Sequence, residues 1–299
     1  MEKLNYALIT GASQGLGRAL AEECAGRGYN LVLVALAGSG LREVAAIIRL
    51  IYHVDVKVRE MDLTETDGPG SLAEWIRSQE LHLVMLINNA GIGYNRRFDE
   101  SSLHENEATI ALNVLALVKL THLLLPLLAA EGAAQIAVPA SWGRTLPGSG
   151  RRNSARAAYI LNVGSLAAFF PMPFMPVYSP TKSFVLNFSL ALREELAERG
   201  VSVSVLCPNG IRTNRGCREQ IERQGVAGRL TCRYPDEVAR AALSRLLRGK
   251  AVIVPGFLNK LIRGLAGLAP RALVTWIVSR HWGTARMCGA PSEQPQGVW

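Results

Sequence analysis

The sequence predicts a single-domain α/β fold built on one doubly wound parallel sheet of about seven strands, with helices on both faces. Short runs rich in β-branched residues alternate with longer segments of helical periodicity through most of the 299 residues. Several of the short runs are apolar throughout, as expected for parallel strands that are covered on both faces. The alternation therefore indicates βαβ units with right-handed crossovers.

The elements follow in order along the chain. The predicted strands lie at residues 6–10, 31–35, 54–60, 83–87, 160–163, 201–206 and 252–254. The predicted helices lie near residues 15–27, 41–51, 101–130, 177–199 and 235–248. We expect residues 1–256 to form the sheet domain, with an insertion at about 132–158 that forms an exposed loop. We expect residues 257–299 to form a C-terminal helical lid or contact segment followed by a flexible tail.

The composition limits the classes of partner. Apolar residues make up 49% of the chain, which is enough for a sizeable core. A formal net charge of +9 favours an anionic partner, which could be a phosphorylated cofactor, an anionic membrane surface or a nucleic acid. We expect the charge to be spread along the chain and not gathered in one tract, so we expect no nucleic-acid partner.

The cysteines and the first residues indicate a cytoplasmic protein. Five cysteines form no CxxC pair and no metal-like spacing with the five histidines, so we expect free thiols in a reducing compartment and no metal site. The N-terminal sequence runs directly into a strand and shows no signal region. The longest uncharged run, residues 157–181, contains four prolines and cannot cross a membrane as a helix.

A glycine-rich turn follows the first predicted strand. Residues 10–17 read TGASQGLG, where glycines permit a tight turn, a close approach to a pyrophosphate, and packing of helix on strand. The helix that begins there would direct free N–H groups and its positive dipole end at the phosphates. An ordinary tight βα turn is the alternative interpretation. The predicted cofactor contacts in this turn are Gly11, Ser13, Gln14, Gly15, Leu16 and Gly17.

The residues after the second strand favour NADP over NAD. A carboxylate here would hold the ribose 2′-hydroxyl of NAD and repel the 2′-phosphate of NADP. The strand ends in Ala35 and Leu36, and no acidic residue follows directly. The arginine that would bind a 2′-phosphate is missing as well, and the polar or basic residues that could help are Ser13, Ser39 and Arg18.

A second pattern contains the candidate reacting groups. Tyr178 and Lys182 stand at i and i+4, one turn apart on one helix face. An adjacent ammonium favours the phenolate and lets a phenol with an ordinary pKa of about 10 exchange a proton near neutral pH. Ser165 follows a predicted strand, so its hydroxyl would project toward the cofactor cleft and donate to a substrate oxygen. Alone, these patterns also occur as a surface pair and a helix-capping serine.

Together these residues resemble a short-chain dehydrogenase/reductase of the single-domain branch, over about residues 4–256. TGASQGLG is similar to the TGxxxGxG cofactor motif of that branch, and residues 88–91 match its NNAG. Residues 207–213, CPNGIRT, match the segment that closes over the nicotinamide. The family's catalytic tetrad is matched, in order and spacing, by Asn113, Ser165, Tyr178 and Lys182. The resemblance implies a Rossmann fold and a nicotinamide-dependent oxidoreductase that interconverts a carbonyl and an alcohol.

The resemblance also implies a role for each residue. Tyr178 is the general acid in reduction and the general base in oxidation, Lys182 lowers the pKa of Tyr178 and holds the nicotinamide ribose, and Ser165 orients the substrate oxygen. Asn113 kinks its helix and anchors a water that relays protons to Lys182. The remaining cofactor contacts, from adenine to nicotinamide, are Asp62, Leu63, Asn89, Ala90, Gly91, Pro208, Ile211 and Thr213.

Two positions depart from the family pattern. Asn209 replaces the glycine of the usual Pro-Gly pair, and Asn tolerates left-handed backbone better than other non-glycine residues. Pro180 lies between Tyr178 and Lys182, where it is harmless if the helix begins near Ser179 and distorting if the helix begins earlier.

Two apolar segments bear on substrate and partners. Residues 169–175, FFPMPFM, favour an apolar ketone or alcohol, lipid-like or steroid-like, although packing on the core explains them equally well. Residues 257–282 are apolar with interspersed basic residues and form either a lid or subunit contact, which we favour, or a helix pair on an anionic membrane surface. We also expect a homo-oligomer, a dimer or tetramer. A catalytically silent dinucleotide-binding scaffold or sensor is the alternative function, and the complete tetrad argues against it.

Overall fold

A seven-stranded parallel sheet forms the centre of the molecule in the computed structural model, which describes residues 4–128, 158–211 and 231–287. The strands are β1 (Asn5–Thr10), β2 (Asn30–Ala35), β3 (Val56–Glu60), β4 (His82–Asn88), β5 (Ala158–Val163), β6 (Val201–Leu206) and β7 (Val252–Ile253). Their order across the sheet is β3-β2-β1-β4-β5-β6-β7, and every neighbouring pair is parallel. The predicted doubly wound sheet is confirmed, with strand ends that differ by at most two residues.

The helices cover both faces of this sheet. They are α1 (Gly15–Ala25), α2 (Leu41–Tyr52), α3 (Gly68–Ser78), α4 (Leu103–Ile110), α5 (Leu117–Leu128), α6 (Tyr178–Leu196), α7 (Pro235–Leu247), α8 (Phe257–Leu268) and α9 (Arg271–Met287). A π turn, Ala111–Ala116, joins α4 to α5. Helix α3 is not among the predicted elements, because it opens with Gly-Pro-Gly-Ser, a loop-like composition. Pro69 fits there because the first N–H groups of a helix have no partner within it.

Alternate residues of each strand supply the two halves of the core. In β1, Ala7 and Ile9 join the cluster formed with α1, α2 and α7, whereas Tyr6 and Leu8 join the cluster formed with α3 and α5. This division follows from the two-residue period of a strand. Because both faces are covered, the central strands are apolar along nearly their full length.

The strand order reverses at β1, which lies between β2 and β4. Open α/β sheets bind ligands beyond the carboxyl ends of their strands at such a reversal. Gly11 directly follows β1, Asn89 directly follows β4, and Ser165 stands two residues after β5. The topology therefore brings the separate sequence motifs to one edge of the sheet.

The segment Leu103–Leu128 is 26 residues long and is apolar enough to cross a membrane by length and composition. Leu120, Leu124 and Leu128 are nonetheless buried in the core cluster with α3 and the sheet. A core helix of this length passes the same test, and these leucines pack one face of α5 on the core of the fold.

Several expectations fall partly or wholly outside the described residues. These are most of the insertion at 132–158, the tail beyond Met287 and the cofactor contact of Thr213. Two boundaries change within the described residues: Ala158 already belongs to β5, and helix α9 continues to Met287.

Candidate active site

The glycine-rich turn joins β1 to α1 with the backbone that its motif predicts. Gly11 and Gly15 have φ angles of 66° and 56°, which glycine adopts without strain. Gly17 lies so close to the turn that an added Cβ would stand 2.0 Å from the Gly11 carbonyl oxygen. The first turn of α1 contains no acidic residue, and the side chain of Gln14 does not cap it. This helix end can therefore offer its N–H groups to an anion.

Thr10 and Asn89 attach the loop after β4 to the glycine turn. Thr10 Oγ1 accepts hydrogen bonds from the backbone N–H groups of Asn89 and Ala90, each at 3.0 Å. Asn89 Nδ2 donates to the carbonyl oxygens of Thr10 at 2.8 Å and Gly11 at 3.2 Å. These bonds hold residues 89–91 beside the turn. Thr10 is a site residue that the sequence reasoning did not single out, although its place at the end of β1 was a signal.

The polar groups near the ends of β2 and β3 bond to other parts of the chain. The Ser39 hydroxyl donates to the Leu36 carbonyl oxygen at 2.6 Å, and Arg18 pairs with Glu22 at 2.8 Å, so neither of these helpers points freely at the end of β2. Arg42 pairs with Glu60, the last residue of β3, at 2.7 Å. Glu60 thus carries a cationic partner.

Asp62 and Leu63 follow β3 at the same edge. Asp62 Oδ1 accepts hydrogen bonds from the N–H of Thr64 at 2.8 Å and from its hydroxyl at 2.7 Å. The Leu63 side chain is buried against α3 and the sheet. Asp62 thus has a fixed orientation.

Lys182 and Asn113 are buried together behind the loop after β4. The Lys182 ammonium donates to the Val163 carbonyl oxygen at 3.0 Å. Asn113 Nδ2 donates to the Ile92 carbonyl oxygen at 2.8 Å and to Thr181 Oγ1 at 3.1 Å, while Asn113 Oδ1 accepts from the Ile92 N–H at 2.9 Å. Asn113 also lies within the π turn, which agrees with the expectation that its helix is irregular there.

Tyr178 begins helix α6 on the open side of this group. The distance from Lys182 Nζ to the centroid of the Tyr178 ring is 5.6 Å. Burial raises the pKa of Tyr178 to about 12, and a hydrogen bond from the Ser165 hydroxyl opposes this rise. Pro180 is the third residue of α6, where its missing N–H leaves no helical bond unmade, so this departure is harmless.

The expectation that Lys182 depresses the pKa of Tyr178 is wrong for the chain without cofactor. Burial lowers the pKa of Lys182 to about 8, because the ammonium is removed from water. Lys182 therefore loses its charge well before Tyr178 titrates at about 12. No ammonium then remains to stabilise the phenolate.

Two glycines permit the side chains of Asn113, Lys182 and Tyr178 to lie close to the loop after β4. A Cβ on Gly91 would stand 2.8 Å from Asn113 Oδ1 and 3.1 Å from Lys182 Nζ. A Cβ on Gly93 would stand 2.4 Å from Tyr178 Cδ2. Gly93 was not predicted, and its signal in the sequence was only its place two residues after the NNAG motif.

Hydrogen bonds between buried polar side chains connect the strands and helices next to the site. Asn88 Nδ2 donates to Thr121 Oγ1 at 3.0 Å and to Asn162 Oδ1 at 2.9 Å, and Asn162 Nδ2 donates to Ser189 Oγ at 2.9 Å. These residues belong to β4, α5, β5 and α6, and α6 also carries Tyr178 and Lys182. Of them, sequence reasoning recognised only Asn88, as part of NNAG.

The segment after β6 lies beside the chain that follows Ser165. The Pro208 carbonyl oxygen accepts from the Leu166 N–H at 2.7 Å, and Ile211 is buried. Asn209 does not have a positive φ angle, so the left-handed backbone considered for this position is not used.

The arrangement suits a dinucleotide and a small polarised group beside it. The glycine turn offers a helix N-terminus to phosphates, and the tetrad offers a phenol, a hydroxyl and an ammonium at one sheet edge. The described residues contain no group of His, Cys, Asp and Glu side chains that could hold a metal ion. Cys207, close to Gly164, is a neutral thiol because burial raises its pKa to about 12.

Comparisons with solved structures agree with this fold. A short-chain dehydrogenase from Sphingobium yanoikuyae in complex with NADPH is 30% identical, covers 90% of this chain and 98% of its own, and has a TM-score of 0.67. A 7beta-hydroxysteroid dehydrogenase covers 92% of this chain and 96% of its own with a TM-score of 0.77, and at 21% identity it supports the fold alone.

Two curated relatives each match this chain over 210 residues. Very-long-chain 3-oxoacyl-CoA reductase-A of Danio rerio is 30% identical over 210 residues, which cover 68% of this chain and 57% of the relative. Mouse (Mus musculus) 17-beta-hydroxysteroid dehydrogenase type 3 is 30% identical over 210 residues, 70% of this chain and 60% of the relative. The chain thus spans less than two thirds of these relatives. The family model for short chain dehydrogenase matches residues 5–223. With motifs, topology and family model in agreement, the chain belongs to the short-chain dehydrogenase family.

Proposed function

We propose that this chain is an NADP-preferring oxidoreductase that interconverts a carbonyl and an alcohol on an apolar substrate. The observation that carries the proposal is the meeting of Asn113, Ser165, Tyr178 and Lys182 at one sheet edge, beside the glycine turn. A silent scaffold would not need a buried ammonium beside a phenol. The free energy required to bury Lys182 is consistent with a role in the site.

The side chains are suited to proton donation in the reductive direction. The reduced nicotinamide, when bound, supplies a hydride to the carbonyl carbon. Tyr178 is a neutral phenol at neutral pH, since its pKa is about 12, and gives its proton to the carbonyl oxygen. Ser165 donates a hydrogen bond to the same oxygen and shares the developing charge. Lys182 has N–H groups besides the one bound to Val163, and these hold the ribose.

The preference for NADP rests on the charges beyond β2. No carboxylate stands at Ala35, Leu36 or the four residues after them, and Glu60 is paired with Arg42. A 2′-phosphate at the end of β2 therefore meets no carboxylate from these positions. The NADPH complex of the Sphingobium yanoikuyae relative supports the same choice.

The apolar substrate is supported by the segment after Ser165 and by the relatives. Phe169 and Phe170 pack partly on a core cluster, and Met172 is buried, so packing accounts for these three residues. Phe174 and Met175 remain partly exposed between Ser165 and Tyr178. Two relatives are named for very-long-chain 3-oxoacyl-CoA and for a hydroxysteroid. We propose a lipid-like or steroid-like ketone on this basis.

The proposed setting is a reducing cytoplasm and a homo-oligomer. The three cysteines that the structure describes, Cys24, Cys207 and Cys232, are free and buried. Leu103, Leu115 and Phe184 expose large apolar side chains along α4 to α6, which would suit a contact with a second copy.

One experiment tests both substrate class and cofactor. A long-chain 3-oxoacyl thioester, a 17-keto steroid and a small polar ketone are offered with NADPH or NADH, and turnover is followed by nicotinamide absorbance. We expect turnover of an apolar ketone with NADPH, and at least tenfold higher kcat/KM with NADPH than with NADH. Leu36→Asp should reverse that preference through repulsion of the 2′-phosphate, whereas the uncharged control Leu36→Asn should keep it. Cofactor binding without turnover on any ketone would instead support the scaffold.

A further inference from the structure

The C-terminal helices α8 and α9 expose an unusual amount of apolar surface. Of the 18 large apolar side chains that are exposed in the described residues, seven lie between residues 257 and 277. We call this set the apolar surface: Phe257, Leu261, Leu265, Leu268, Leu273, Trp276 and Ile277. Such a concentration marks a site of contact with another molecule or a membrane.

One side of α8 packs on the sheet domain, and this contact identifies the side of the helix that faces outward. Asn259 is buried, and its Nδ2 donates to the carbonyl oxygens of Thr231 at 3.0 Å and Pro255 at 2.9 Å. Ile262 packs on the cluster that includes Leu166. The exposed residues Phe257, Leu261, Leu265 and Leu268 follow at i, i+4, i+8 and i+11, so they form one stripe on the opposite side.

Helix α9 has no buried side chain among residues 271–280, the part whose side chains the structure describes. It nevertheless exposes Leu273, Trp276 and Ile277, at 47%, 54% and 51% of their surface. A helix of this length gains most of its stability from the packing of an apolar face. The exposed apolar residues of α9 therefore require a partner molecule or a membrane that covers them.

The positive charge of these helices indicates that the surface covering them is anionic. Helices α8 and α9, residues 257–287, contain five Lys or Arg and no Asp or Glu. Lys260, Arg271 and Arg280 lie on the two exposed helices, and Arg280 stacks on Trp276 at 4.7 Å from its centroid.

We propose that helices α8 and α9 dock the protein on an anionic lipid membrane, with the apolar surface in the acyl boundary and the basic side chains at the headgroups. A second copy fits less well, because a two-fold contact through this surface would place basic residues against basic residues with no acid to pair them. Docking does not depend on the proposed function. If that function holds, docking also places the substrate side near the bilayer, since the Arg263 guanidinium of α8 covers the Phe169 ring at 4.9 Å.

The test is co-sedimentation of the purified full chain with vesicles, without substrate or cofactor. We expect binding to vesicles of phosphatidylcholine with phosphatidylserine, at least tenfold weaker binding to phosphatidylcholine alone, and loss of binding at high salt. Leu265→Ser with Leu268→Ser should lower the partition coefficient at least tenfold. The matched control is Leu50→Ser with Ile51→Ser, which changes equally exposed residues on α2 and should leave binding unaltered.

A charge-reversal pair separates electrostatics from apolar insertion. Lys260→Glu with Arg271→Glu should weaken binding to the anionic vesicles at least tenfold, whereas Arg240→Glu with Lys250→Glu, outside the two helices, should change it little. Circular dichroism and thermal denaturation check that every variant remains folded. Absence of binding to anionic vesicles, or binding that the leucine pair does not alter, would overturn the proposal. A shift to a smaller oligomer in the leucine variant, seen by light scattering, would assign the surface to a second copy and overturn it as well.

Discussion

Burial sets the protonation states of the two residues that define the site. Tyr178 has a pKa raised to about 12, and Lys182 has a pKa lowered to about 8, both because the charged forms lose water. At neutral pH the phenol therefore carries its proton and the lysine is mainly an ammonium. This is the state needed to protonate a carbonyl oxygen.

Replacing Tyr178 by Phe removes the proton donor and little else. We expect kcat for ketone reduction to fall by about 10²–10⁴-fold, the usual contribution of general acid catalysis. The dissociation constant of NADPH should stay within a few-fold, because the ring and the Lys182 ammonium remain. Tyr52→Phe on α2 is the matched control and should retain full activity. A Tyr178→Phe enzyme that keeps more than a tenth of kcat would refute the role.

At the scale of elements, close approaches of glycine backbone to neighbouring backbone and side chains shape the site. Helix α1 can begin beside β1 only because Gly17 lies against the Gly11 carbonyl oxygen, and the loop after β4 reaches Tyr178 only because Gly93 lacks a side chain. The π turn at Ala111–Ala116 adds a second irregularity, and it places Asn113 against Ile92 and Thr181.

Gly17→Ala tests the first of these contacts. Its Cβ would stand 2.0 Å from the Gly11 carbonyl oxygen and 2.6 Å from Asn89 Nδ2, so the glycine turn must move. We expect NADPH affinity to fall at least tenfold and the melting temperature to drop. The control is Gly70→Ala in α3, where no atom lies within 4 Å of the added Cβ. That change should leave cofactor binding intact and stabilise the helix by up to about 1 kcal/mol. Equal behaviour of the two variants would show that the turn tolerates displacement.

At the scale of the whole molecule, the buried ammonium of Lys182 makes stability depend on pH. Its pKa is about 8 in the folded chain and near the ordinary lysine value of 10.5 in the unfolded chain. Between these two values the unfolded chain binds the proton more tightly, so the free energy of unfolding should rise with pH through this window. Below pH 8 both states are protonated and the full burial penalty is present.

Lys182→Met keeps the apolar stem and removes the titrating group. The free energy of unfolding of wild type, relative to this variant, should increase from pH 8 to about pH 10.5, as measured by urea denaturation at several pH values. Tyr6 and Tyr178, whose pKa values are raised to about 12, act in the opposite direction above pH 10 in both proteins, so the difference isolates Lys182. The exposed control Lys250→Met should show no such trend. A flat difference would mean that the ammonium is not desolvated.

The sequence by itself determined the fold class, the order of the strands along the chain and the four members of the tetrad. Strands and helices were predictable because their periodicity is local, and the tetrad because its spacing is preserved in the motif. Helix α3 escaped this reasoning, since its opening glycines and proline have loop-like preferences that tertiary packing overrides.

Only the tertiary structure decided how these residues affect one another. The pKa of Tyr178 rises and that of Lys182 falls because burial depends on neighbours from β5, β6 and the loop after β4, which lie far apart in sequence. The same holds for Thr10, Gly93 and the chain from Asn88 to Ser189, whose roles are contacts across the fold. The apolar stripe of α8 also needed the structure, because periodicity alone cannot show which face of an amphipathic helix is covered.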